Sequence, residues 1–106
     1  MTSESSKNEG LGRYGEPATL ILISLAEGPK HGYAIMVDVE KQMGVTIGPG
    51  TLYAAISKLL KQGFIRPLPS SDRARPYEIT PSGREVMAAF LKTWAPIVKI
   101  GQARLA

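Results

Sequence analysis

From Pro17 to Ala26 the chain is almost continuously apolar, through Ala18, Leu20, Ile21, Leu22, Ile23 and Leu25, and Gly28-Pro29 stops the run. A buried strand and a buried helix both fit Leu20 to Ile23. Pro17 at the start, the length of the run and the Gly-Pro stop favour a helix. A helix apolar nearly all round is buried on more than one side. In so short a chain that means its own core, plus either the last helix or a second subunit, with Leu20 and Ile23 as candidate contacts. Ala34, Ile35, Val37, Val39 and Met43 then recur at helical spacing over roughly residues 31–43, and Gly44 closes that helix. Val45-Thr46-Ile47 is a short extended connector into a third helix. Gly48 stands at its N-cap, Pro49 at its first position and Gly63 at its C-terminal end. Two helices joined by a tight, glycine-containing connection form a helix-turn-helix.

The third helix sorts into two unlike faces when wound at about 100° per residue. Leu52, Ala55, Ile56, Leu59 and Leu60 form an apolar stripe. Gly50, Thr51, Ala54, Ser57, Lys58 and Lys61 form the other face, which is polar, basic and small. A face that only meets solvent would carry Glu, Gln, Lys and Arg for their helix propensity. Small residues flanked by lysines let a backbone come close to something large and negative. A helix in the DNA major groove needs that geometry, with hydroxyl and methyl groups at base edges and lysines on phosphates.

Beyond Gly63 the period changes. Phe64-Ile65-Arg66-Pro67-Leu68 and Arg75-Pro76-Tyr77-Glu78-Ile79-Thr80 read as two short strands around the loop at residues 69–74. Pro67 and Pro76 bar a central sheet position, so the strands are expected to form an isolated edge ribbon. Its tip carries Arg73 and Arg75, placed as a wing would place them for phosphates or the adjacent minor groove. Thr80-Pro81 opens a last helix in which Val86, Met87, Phe90, Leu91, Trp94, Ile97 and Val98 recur every three or four residues. That seam asks for a partner, and the same helix of a second subunit supplies one, through Met87, Phe90, Leu91, Trp94 and Val98. Pro96 is expected to kink or break the helix near residues 93–95.

With 106 residues the chain has room for one core. It has no cysteine, which excludes disulfides, zinc fingers and cysteine catalysis and fits a reducing cytoplasm. No apolar run approaches the roughly 18 residues of a membrane span. The formal charge of +4 is unevenly spread. Residues 1–47 hold four basic and six acidic side chains, whereas residues 48–106 hold nine basic and three acidic ones. The basic half begins with the small-faced helix, which points to a polyanionic partner. Residues 1–15, rich in Ser, Glu, Asn and Gly, are expected to form a flexible arm, either without a role or as a lid over a neighbouring subunit. His31, the single histidine, has no second ligand-type neighbour and reads as a cap or surface contact.

In three places the chain resembles the PadR family of bacterial transcriptional regulators. These are Leu25-Ala26-Glu27-Gly28-Pro29 leading into His31-Gly32-Tyr33, then Gly48-Pro49-Gly50-Thr51-Leu52-Tyr53, then Arg75-Pro76-Tyr77-Glu78-Ile79-Thr80 entering the last helix. The resemblance covers residues 16 to about 95. It implies a homodimeric winged-helix DNA-binding protein, usually a repressor. The helix matching Pro49 to Gln62 would enter the major groove, with the positions matching Thr51, Tyr53, Ser57 and Lys58 toward DNA. The helical wheel agrees on Thr51, Ser57 and Lys58 and puts Tyr53 on the border between core and groove, within reach of a phosphate. Only one helix follows the hairpin, as in the short subclass, some of whose members bind flat aromatic compounds at the dimer interface beside a tryptophan of the last helix. Trp94 matches that tryptophan, and it reads equally well as a plain filler of the dimer core. Pro96 departs from an uninterrupted dimer helix.

The expected fold is therefore mainly α with a small β-hairpin. It comprises an arm over 1–15, a winged helix-turn-helix over 16–80 and a dimerisation helix over 81–106, interrupted near Pro96. The expected function is a cytoplasmic transcriptional regulator, a repressor that binds a pseudo-palindromic operator as a homodimer and is released by a small aromatic effector. The half-sites should lie about 10 bp, or a multiple of that, apart. A winged-helix module that docks a protein, or one that binds DNA without sequence preference, is the competing reading. Enzyme chemistry is not expected, nor is a metal or cofactor. The chain has one histidine, no glycine-rich phosphate loop and no evident paired carboxylates.

Overall fold

Proline and glycine punctuate the helices where the backbone requires them. A computed structural model of the chain describes residues 16–71 and 73–106, so the arm expected over residues 1–15 and Asp72 of the hairpin loop lie outside the described residues. Helix α1 spans Pro17–Ala26, α2 spans Gly32–Met43, α3 spans Pro49–Gln62 and α4 spans Pro81–Leu105. Prolines open α1, α3 and α4, where a missing N–H costs nothing. Gly44 and Gly63 close α2 and α3 with φ of 70° and 77°, a left-handed conformation that side chains with a Cβ resist. At the end of α3 the Gly63 N–H donates to the Leu60 carbonyl at 3.1 Å and the Phe64 N–H to the Leu59 carbonyl at 3.0 Å. This double closure satisfies two carbonyls that the helix would otherwise leave open. His31 occupies the N-cap position of α2 without a capping bond from its side chain, and the helix proper begins one residue later than the pattern suggests.

Strands β1 (Ile65–Pro67) and β2 (Tyr77–Ile79) pair antiparallel, with Ile65 opposite Ile79 and Arg66 opposite Glu78. Both strands are shorter than the sequence suggests. The ribbon is also not isolated as expected. On its other edge, Tyr77 exchanges two hydrogen bonds with Lys30, at 2.9 and 3.1 Å, so the connection between α1 and α2 adds a one-residue third strand.

The core draws on every helix-turn-helix element and both strands, through Leu20, Ile21, Leu22, Leu25, Ile35, Val39, Ile47, Leu52, Ile56, Leu59, Ile65 and Ile79. Helix α1 is its axis, packed against α2, α3, α4 and β2. The run from Leu20 to Ile23 is thus a helix buried on several sides, and the β-friendly composition is overridden by that packing. Leu20 keeps only 7% of its surface exposed and belongs to this core rather than to a free interface, while Ile23 is half-buried.

The first turns of helix α4 are tied to the body by hydrogen bonds. The Thr80 hydroxyl accepts from the Gly83 N–H at 3.1 Å and donates to the Gly63 carbonyl at 2.7 Å, and Ser82 donates to the same carbonyl at 3.0 Å. The start of α4 is thereby pinned to the end of α3. Gly83 is buried and Met87 packs against the core. The expected interruption near Pro96 does not occur. Helix α4 runs unbroken through Pro96 for 25 residues, or about 37 Å at 1.5 Å per residue. The proline removes one N–H, yet the turns on either side keep their own bonds. Just before it, the Thr93 hydroxyl adds a 3.0 Å bond to the Ala89 carbonyl.

Candidate nucleic-acid interface

Leu52, Ile56 and Leu59 lock one side of α3 into the core, at 0–2% exposure, and this fixes which residues face outward. Gly50, Thr51, Ala54, Ser57, Lys58 and Lys61 are all exposed. The middle of this face is Gly50, Ala54 and Ser57, so the helix backbone itself lies close to whatever it meets.

Tyr53 borders that face, half exposed, and its position has a specific cause. Its ring lies across Gly32, the first residue of α2; a Cβ built there would run into the Tyr53 hydroxyl and come within 2.9 Å of its Cζ. Glycine at position 32 therefore makes the seat on which Tyr53 rests. Gly32 and Tyr53 also line a concavity that opens between α3 and the wing, with Leu60, Pro67, Arg73, Arg75 and Tyr77. Arg73 and Arg75 are exposed along its edge. Helix α3 and the wing tip thus meet in one concavity, with the wing contributing its exposed arginines.

Arg66, Arg84 and Lys30 differ from these. Arg66 is held by Glu78 across the ribbon, its Nε donating to the carboxylate at 2.7 Å. Arg84 reaches from α4 to the Ala26 carbonyl at 3.2 Å. Lys30 is turned inward against Ser24, Glu27 and Asp38. Lys58, Lys61, Arg73 and Arg75 have no ion-pair partner among the described residues. Charges already paired are poorly placed to neutralise phosphates.

On α4, Trp94 is half-buried, with the Phe90 ring centroid 6.2 Å away at an interplanar angle of 39°. Trp94, Leu91, Ala95 and Val98 border a shallow depression on the open side of the helix, with Lys99 and Gln102 at its rim. Of the other residues expected at a dimer contact, Met87 is engaged with the core, Phe90 and Val98 are half-buried and Leu91 is exposed. A second groove runs between α1, the end of α3 and α4, bordered by Leu22, Phe64, Val86 and Phe90 with Lys58 and Gln62 at its mouth. Among the described residues no group of His, Asp and Glu is arranged to hold a metal ion, and no helix is long and apolar enough to cross a membrane.

Two features escaped the reading of the sequence. The Gly32–Tyr53 contact joins residues far apart in the chain, and its only local signal is a helix that starts on glycine. The Lys30 cluster has no local signal at all, since a lysine after Gly-Pro reads as a surface charge.

The model of the PadR-like transcriptional regulator family matches residues 21–89. A PadR-like transcriptional regulator from Bacillus cereus superimposes with a TM-score of 0.76 at 18% identity, over 88% of this chain and 94% of that one. A transcriptional regulator from Clostridium thermocellum does so at 0.74 and 26% identity, over 97% of each. The chain is also 43% identical over 75 residues to an uncharacterised 37.1 kDa protein in a transposon of Streptomyces fradiae, spanning 71% of this chain but only 22% of that protein. The match covers most of the described fold, from inside α1, through the helix-turn-helix and the wing, to the first turns of α4, and on that ground the chain belongs to the PadR-like family of transcriptional regulators.

Proposed function

We propose that the protein is a repressor that binds a pseudo-palindromic operator as a homodimer, with α3 in the major groove and the wing arginines on the flanking backbone. The observation that carries this reading is the exposed small-residue face of α3, Gly50, Ala54 and Ser57 with Lys58 and Lys61 beside it, together with the exposed Arg73 and Arg75 of the wing. Lysines and arginines on phosphates supply affinity, while Thr51, Ser57 and the Ala54 methyl are the groups short enough to meet base edges. The homodimer covers Leu91, Ile97 and Ile100, which α4 otherwise leaves 40–54% exposed. Trp94 and Phe90 then stand where a planar aromatic effector would insert between subunits. Quenching of the single tryptophan by planar aromatic compounds supports that part, and a varied panel without effect argues for a plain packing role.

Selection of bound fragments from genomic DNA, followed by a salt titration on the recovered duplex, tests the whole reading. An inverted repeat bound with a steep salt slope is the expected result. Equal binding to every fragment would remove the operator-specific repressor and leave a nonspecific DNA-binding protein. Absence of binding at low salt would favour a module that docks a protein.

A further inference from the structure

The turn between α1 and α2 holds a charged cluster apart from the DNA-facing residues. The Lys30 side chain is only 16% exposed. Its Nζ donates to the Ser24 carbonyl at 2.5 Å and to Glu27 Oε1 at 3.2 Å, and lies 4.0 Å from Asp38 Oδ2. Asp38 Oδ2 in turn accepts from the buried Ser24 hydroxyl at 2.6 Å. Lysine is seldom buried unless paired, and here it is held by two carboxylates and by a carbonyl in the last turn of α1, where the helix dipole favours a cation.

The backbone of the same residue carries the wing. The Lys30 N–H donates to the Tyr77 carbonyl at 3.1 Å, and the Tyr77 N–H donates to the Lys30 carbonyl at 2.9 Å. The bridge is confined to this one pair, and α2 begins two residues after Lys30. A single residue pair is the seam between the outer edge of β2 and the helix-turn-helix. Arg75 stands two residues before Tyr77, and Arg73 two before that.

We infer that Lys30 is a positioning residue for the wing: its side chain, anchored on α1 and α2, fixes where the Lys30–Tyr77 pair sits and hence where Arg73 and Arg75 meet the DNA backbone. This rests on reading those arginines as phosphate contacts. Lys30 acts without touching DNA, because its ammonium group is already spent on internal partners.

The test is fluorescence anisotropy of the full chain on a duplex of arbitrary sequence, titrated with salt. Arg73→Ala/Arg75→Ala removes two phosphate contacts per subunit, four in the dimer, and lowers the salt slope by about 3.6, so that a fourfold rise in salt costs about 150-fold less affinity than in wild type. Lys30→Met alone strands Asp38 without its cation, so Lys30→Met/Asp38→Asn is measured beside it. That pair of changes removes the leftover charge and keeps an acceptor for the Ser24 hydroxyl. Both Lys30 variants are expected to lower the slope as the double arginine variant does, to lose nothing more when combined with it, and to regain the wild-type slope in Lys30→Arg. A merely structural role would weaken binding without this dependence on the arginines. A folded Lys30→Met/Asp38→Asn protein that keeps the wild-type slope, or losses that add to those of the arginines, would overturn the inference alone. A wild-type protein that binds no duplex at low salt would remove the DNA-binding reading and this inference with it.

Discussion

Alanine in place of Gly83 sets helix propensity against space, and the structure decides between them. On propensity, glycine to alanine inside a helix gains about 1 kcal/mol. The backbone at Gly83 has no positive φ, so conformational strain does not enter. The obstacle is the neighbouring backbone: a Cβ at position 83 would run into the Phe64 carbonyl oxygen and come within 2.9 Å of Ile79 Cγ1. That carbonyl cannot retreat freely, because it accepts from the Thr80 N–H at 3.0 Å while the Phe64 N–H is tied to Leu59 at 3.0 Å. Admitting the methyl group means lifting the first turn of α4 away from the core.

Overpacking of this kind costs about 1–3 kcal/mol, and stretching the Thr80–Phe64 bond costs about 1 kcal/mol more. Set against the propensity gain, the expected result is a loss of about 2 kcal/mol. For a chain of this size that lowers the Tm by about 10 °C. The assay is thermal unfolding by circular dichroism at one fixed protein concentration, since self-association moves the midpoint by mass action. Gly101→Ala is the internal control: it makes the same chemical change in the same helix, where a Cβ meets nothing within 4 Å, and should raise the Tm or leave it unchanged. A Gly83→Ala protein as stable as wild type, or more so, would refute the close packing of the start of α4 on Phe64 and Ile79.

Gly32→Ala should behave differently, because the atom in the way is the end of a half-exposed side chain. Tyr53 swings off its seat, duplex affinity falls severalfold, and the Tm changes by no more than a few degrees; full affinity in the variant would show that Tyr53 does not touch DNA. Lys61→Ala and Arg73→Ala, each present twice in the dimer, should each reduce the slope of log affinity against log salt by about 1.8, and an unchanged slope counts against that phosphate contact. Pro96→Ala restores an N–H that can bond the Lys92 carbonyl in a helix already continuous there, and should raise helix stability by up to about 3 kcal/mol. A lower midpoint for that variant would mean that the proline shapes a contact α4 needs.

What the sequence disclosed and what it withheld divide along the range of the interactions. Helix ends were legible because Pro17, Pro49, Pro81, Gly44 and Gly63 act through their own backbone and need no neighbour. The outward face of α3 was legible because the 3.6-residue period alone fixes which residues oppose Leu52, Ile56 and Leu59. Leu20 could not be divided between core and interface, because a helix that is apolar all round gives no direction. Pro96 was read from its local cost alone, and the helix carries that cost. Lys30 was illegible for the opposite reason: its meaning lies in Ser24, Asp38 and Tyr77, which only the fold brings to it.

The same division bears on how the DNA-facing surface is held. Helix α3 has no loop between its two faces, so any shift of Leu52, Ile56 or Leu59 in the core turns Gly50, Ala54 and Ser57 with it. The wing has no such rigid backing. Its arginines hang from a two-stranded ribbon secured at one end by Ile65 and Ile79 in the core and on one edge by the Lys30–Tyr77 pair. Two strands with no further support are marginal in water, so the ribbon takes its orientation from those attachments. Substitutions at Gly32, Lys30 or Gly83, none of which is placed against DNA, therefore act on different parts of the molecule: the tyrosine bordering the proposed interface, the wing, and the start of α4. Measured on one duplex, they separate by readout, as affinity without a stability change, as salt slope, and as stability itself.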